Sequence, residues 1–98
     1  MEIKLQDIVH QANMQERAVK ANDIRTKNGE CTIVLFKVGT NYECYNESAE
    51  SVHDICKTPL FFMGSISSTD FKEECLDTIL PKLIREGHKV CIFEKGQY

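Results

Sequence analysis

The side chains that could coordinate a metal, cleave a bond or cradle a phosphate are scattered through this sequence. His10, His53 and His88 stand alone, with no HxH or HxxxH spacing, so a zinc site would need remote segments to converge. Cys31, Cys44, Cys56, Cys75 and Cys91 form no CxxC pair, and no local signature ties one of them to a histidine as a nucleophilic pair. Gly29, Gly39, Gly64, Gly87 and Gly96 are each isolated, so neither GxGxxG nor a P-loop can be drawn and ATP has no cradle. Glu73 and Glu74 are adjacent and, on a helix, project to different sides as a solvated face does. The sequence therefore predicts no catalytic residue, no metal and no cofactor: the chain does not read as an enzyme.

A modest basic group remains. Lys82, Arg85 and Lys89 cluster at the end of the last helical stretch, and Lys20, Arg25 and Lys27 at the end of the first. Two readings stay open. Cations at helix C-termini complement the dipole and aid solubility; the same residues can also make phosphate contacts. The formal net charge of −3 and pI of about 5.6 argue against a stand-alone, tight, non-specific nucleic-acid binder, but not against a local basic face.

These residues are carried on a chain of 98 residues, room for one domain spanning 1–98, with 42% hydrophobic and 28% charged residues. A domain of this size hides roughly 60–70% of the surface its unfolded chain exposes, and so folds without staples. An odd number of cysteines within apolar stretches predicts reduced, structural thiols and a cytoplasmic location. The N-terminus MEIKLQDIVHQ lacks the apolar core of a signal peptide, and no run approaches the ~20 apolar residues of a membrane span.

The periodicity predicts an α/β fold: a mixed central sheet containing an N-terminal β-hairpin, flanked by about three helices. Leu5, Ile8, Val9 and Ala12 make one helical face, continued by Met14, Ala18, Ala21 and Ile24. Asn13 and Glu16 have capping-box spacing, so one long helix and two shorter ones both fit, ending at Asn28-Gly29. Cys31–Phe36 is a strand buried on both faces, and Gly39-Thr40-Asn41 turns it into a second extended segment from Tyr42 to Tyr45. Asn46 is the expected N-cap of a helix running to about Lys57, which Pro59 blocks from continuing. Leu60–Met63 reads as a strand and Ser65–Thr69 as a loop. Asp70 and Glu73 read as a capping box opening a helix through Leu76, Ile79, Leu80, Leu83 and Ile84, kinked at Pro81 and stopped at Gly87. Val90–Phe93 is a last strand buried on both faces, and the two later strands, each following a helix, supply the crossovers.

Two ordered blocks then carry a resemblance. Val38-Gly39-Thr40-Asn41-Tyr42-Glu43 with the following residues to Ala49, and Met63-Gly64 with Leu80-Pro81-Lys82-Leu83 through Val90-Cys91-Ile92, resemble the N-terminal domain of the MutS family of DNA mismatch-recognition proteins. In that family the first block reads Gly-Asp-Phe-Tyr-Glu. Its Phe wedges beside a mispaired base and its Glu accepts a hydrogen bond from that base.

The resemblance implies nucleic-acid contact at Asn41, Tyr42 and Glu43, with Lys82, Arg85 and Lys89 near phosphates. It retains Glu43, but the wedge position is Asn41, whose amide can meet a base edge yet has no ring to hold a kink open. A second departure falls at Ser65-Ile66-Ser67-Ser68, where the family has a Pro and a His. The implied activity is weak binding of distorted double-stranded or branched DNA without catalysis. The alternative is a protein-interaction module that keeps the fold and binds a protein partner.

Overall fold

The computed structural model describes residues 5–94 and 96–98, with side chains from residue 12 onward. The apolar face expected at Leu5, Ile8 and Val9 lies outside the described side chains. Helix α1 (Leu5–Asn28) is a single helix, so Asn13 and Glu16 lie in its interior and form no cap. Gly29, at φ 108°, ends it, and its N–H donates to the Arg25 carbonyl at 2.8 Å.

Strand β1 (Thr32–Val38) and strand β2 (Asn41–Tyr45) form the expected hairpin, turning at Gly39-Thr40. Thr32–Phe36 is buried throughout, as a two-face-buried strand requires. Helix α2 (Glu47–Cys56) follows, then β3 (Phe61–Met63), β4 (Ile66–Lys72), a 3-10 turn at Glu73–Cys75, α3 (Leu76–Arg85) and β5 (Lys89–Phe93). The sheet has five strands in the order β3-β4-β2-β1-β5, with β5 parallel to β1 and every other pair antiparallel.

The α/β class and mixed sheet hold; four local expectations do not. Ser65–Thr69 is not a loop: Ile66–Lys72 is the strand beside β2, and Gly64 at φ 61° makes the preceding turn. A hydroxyl-rich strand survives inside the sheet because its polar atoms are answered. Thr69 Oγ1 lies 2.6 Å from Thr58 Oγ1 and also bonds the Pro59 carbonyl. Asp70 accordingly belongs to β4 and caps nothing, and α3 starts after the 3-10 turn without a side-chain cap.

Asn46 does stand just before α2, but at φ 54° with no capping bond. Its Oδ1 accepts instead from the Ser67 N–H at 3.3 Å, tying the helix start to β4. The Ser65–Thr69 stretch thus recruits the residue that was expected to serve the helix. Of the two strands expected from crossovers, β5 is reached by a parallel one whereas β3 pairs antiparallel with β4, and β3 and β5 are the edge strands. β5 is therefore half-buried, since it has a single neighbour.

Alternation along the strands divides the core in two. Ile33, Leu35, Tyr42, Cys44 and Phe71 face α2 and α3, where they meet Val52, Ile79 and Leu83. Val34, Phe36, Tyr45 and Ile66 face α1 through Met14, Ala18 and Ala21. The result is three layers, with the sheet between α1 and the α2–α3 pair. Among the described residues no helix is long and apolar enough to cross a membrane.

Candidate nucleic-acid interface

The hairpin tip is built where three strands end together. β1 runs toward it, β2 leaves it, and β4 returns to it with Lys72 opposite Asn41 and Asp70 opposite Glu43. The Glu73 N–H donates to the Thr40 carbonyl at 2.9 Å and the Lys37 ammonium pairs with Glu73, pinning the tip to the start of the 3-10 turn. That hydrogen bond raises the Lys37 pKa above its ordinary value.

The period of two separates the three tip residues that the resemblance singles out. Asn41 and Glu43 share the α1 face of the sheet with Tyr45, and both are partly exposed. Asn41 Nδ2 lies 3.5 Å from Asp70 Oδ2. Tyr42 points the other way, 5% exposed against Phe71, and its hydroxyl donates to Glu94 Oε1 at 2.8 Å. Burial, then the bond to Glu94, pushes its phenol pKa up. Tyr42 is thus a core residue whose ring also carries Lys37 Nζ at 5.1 Å.

Glu43 is held from behind. The Tyr45 hydroxyl donates to Glu43 Oε1 at 3.1 Å and accepts from Arg17 Nε at 2.6 Å. Burial and the Glu43 charge push the Tyr45 phenol well above the usual tyrosine range, against the pull of Arg17. The hydroxyl therefore keeps its proton and stays a donor to the carboxylate. Arg17 is 8% exposed and its Nη2 has no hydrogen-bond partner among the described residues.

The basic group is elsewhere. Lys89 stands opposite Thr32, at the start of β1, whereas Asn41 stands opposite Val38 at its end. Six residue steps along β1 separate the two positions, about 20 Å along the sheet. α3 runs from the tip toward that far end, so Lys82 and Arg85, both exposed, lie on its distal part. The structure brings together Asn41 and Glu43, and Lys82 with Arg85 on α3, whereas Lys89 lies on the α1 side of β5 with its ammonium 3.4 Å from the Asn28 carbonyl, apart from both pairs.

Two tip residues escaped the sequence reading. Asp70 and Lys72 join Asn41 and Glu43 on the same face only because β4 is the neighbour of β2. The alternation Ile66, Ser68, Asp70 was the available signal, obscured by the serines. Among the described residues no group of three or more His, Cys, Asp or Glu is arranged to hold a metal ion.

Compared with known proteins, the chain matches a family model over residues 22–97, from the last turns of α1 through the whole sheet, and the family is described as MutS domain I. No curated protein sequence matches it. The matched stretch contains the hairpin, its tip and both later helices in the order the motifs anticipated. The chain belongs to the MutS domain I family.

Proposed function

We propose that this domain binds distorted duplex DNA weakly through the α1-facing side of the hairpin tip and performs no chemistry of its own. The observation that carries this reading is the split at the tip: Asn41 and Glu43 lie partly exposed on the α1 side while Tyr42 is locked into the core. Glu43 supplies a carboxylate acceptor for a base-edge donor, and Asn41 an amide that can donate and accept. With an amide in place of the wedge ring, nothing pries a base step apart. Selectivity then falls to the DNA's own deformability, which is greatest at mispairs and branches.

Lys72 is the cation beside this face. Lys82 and Arg85 lie on α3, on the other side of the sheet, and Lys89 stands about 20 Å from the tip, so none of the three shares the tip's contact with the duplex. The competing reading, a protein-interaction module, draws on the exposed Phe61 and Phe62 of an edge strand and on the acids near the tip.

Fluorescence anisotropy of labelled homoduplex, mismatched and branched DNA tests the proposal. With Lys72 as the phosphate contact at the tip the log–log salt slope is roughly −1, and Asn41→Phe tightens binding to distorted duplex about tenfold by restoring a stacking ring. Absence of binding to every form at low salt, with Asn41→Phe included, would overturn it in favour of a protein partner.

A further inference from the structure

The α1 face of the sheet has a hollow of about 310 Å³ next to the tip, lined by Met14, Met63, Phe61, Ser68, Glu43 and Asp70, with Phe62 also at its wall. We propose that this hollow receives a single unstacked nucleobase bearing an exocyclic amino group, with Phe61 as its stacking platform and Glu43 and Asp70 as its hydrogen-bond acceptors. The inference rests on the DNA-contact reading above and adds to it the base, the ring and the second carboxylate.

The sheet register sets the geometry. Phe61 stands opposite Ser68, and Ser68 opposite Tyr45, so the ring lies in the row of the α1-facing residues. Asp70 and Glu43 form the next row on the same face, one pleat repeat of about 7 Å toward the tip. A base lying on the Phe61 ring therefore directs one edge at the two carboxylates. The hollow sits at the small end of the roughly 300–1,000 Å³ of ligand sites, which suits one ring system.

Two features of the empty hollow call for such a ligand. Phe61 is 53% exposed although its strand neighbour Met63 packs into the core, leaving an aromatic face open beside polar groups. Glu43 and Asp70 are directly opposite on antiparallel strands, a like-charge arrangement that destabilises a sheet. Among the described residues each has a single side-chain donor, Tyr45 for Glu43 at 3.1 Å and Asn41 for Asp70 at 3.5 Å, which leaves further lone pairs on both. A wall of acceptors excludes phosphate and favours donors. The N4 amino group of cytosine is the base-edge partner that carboxylates take, and adenine and guanine also present amino groups. Thymine has none.

Anisotropy with four duplexes, each carrying one bulged C, A, G or T, tests this on the whole chain. Wild-type protein should prefer the amino-bearing bulges over T by about tenfold. Phe61→Ala should weaken all four by about tenfold, Phe61→Tyr should restore them, and exposed Ile84→Ala on α3 should change nothing. Asp70→Asn should erase the preference over T without lowering the melting temperature. A bulged 2-aminopurine should be quenched by wild type and Phe61→Tyr, not by Phe61→Ala.

Bulged duplexes that bind equally whatever the base, and unchanged by Phe61→Ala, would overturn the inference while leaving DNA contact intact. No binding of any duplex at low salt would remove both. A short Lys-Gly peptide that binds in a Phe61-dependent way, with no base preference in the DNA, would reassign the hollow to an ammonium and overturn it too.

Discussion

Tyr45→Phe lowers the unfolding free energy by about 3 kcal/mol, seen as a fall of roughly 12–24 °C in melting temperature. The loss exceeds an ordinary hydroxyl deletion because of what the hydroxyl serves. Tyr45 is 1% exposed, and its oxygen accepts the 2.6 Å bond from Arg17, a guanidinium only 8% exposed whose Nη2 already has no partner among the described residues. Removing the hydroxyl leaves a buried charge with no hydrogen-bond partner among the described residues, the most costly way to break such a pair. The Tyr45 ring under the guanidinium, 5.4 Å from its carbon, is a partial substitute only.

Arg17→Met removes the charge together with its orphaned nitrogen and keeps the apolar stem, so it should cost no more than about 1 kcal/mol. The double variant should then be more stable than Tyr45→Phe alone, with a coupling of about 1–2 kcal/mol. Urea denaturation of the four proteins measures the cycle. A Tyr45→Phe protein that melts within 3 °C of wild type would show that Arg17 is satisfied elsewhere.

Stability should also fall steeply above about pH 9. The Cys44 thiol is fully buried, and burial pushes its pKa far above its ordinary 9.0. Tyr45 and Tyr42 are raised above 10.0 chiefly by the same cause. Each group stays protonated in the fold while the unfolded chain ionises, so the unfolded state binds fewer protons and stability declines as pH rises. The stabilisation is complete below the unfolded values of 9.0 and 10.0 and is lost above them. At 1.36 kcal/mol per pH unit, Cys44 alone removes about 3 kcal/mol by pH 11, and Tyr45 about 1.4 more. Cys44→Ala should move the onset from near pH 9 to near pH 10. Melting temperatures recorded from pH 7 to 11 under reductant decide it; a flat profile to pH 11 would contradict the buried, protonated core.

Much of this architecture is legible in the chain because single elements carry it. The run Thr32–Phe36 can only be a strand buried on both sides, and Leu76 to Ile84 can only be an amphipathic helix. β4 was not legible because Ser65–Thr69 has turn composition and becomes a strand only when Thr58, Pro59 and Asn46 answer its polar atoms across the fold. Missing β4 hid the site as well. With Asp70 read as a cap, Lys72 fell in the first turn of the helix it would open, and Phe61 had no visible relation to Glu43 until β4 placed it two strands away. The separation of Lys82, Arg85 and Lys89 from the tip likewise follows from strand order, since β5 begins at the end of β1 that the hairpin leaves behind. Tyr42 was different: the alternation of β2 already put it on the opposite face from Asn41 and Glu43, and the motif's three consecutive residues drew attention away from that period.

The central claim is that DNA meets the α1-facing side of the hairpin tip. Backbone amide chemical-shift mapping of the isotopically labelled chain, titrated with a mismatched duplex at low salt, tests it most directly. The account predicts shifts concentrated at Asn41, Glu43, Asp70 and Lys72, with α2 silent. Shifts confined to the α2–α3 face, or a spectrum unmoved by saturating duplex, would contradict it.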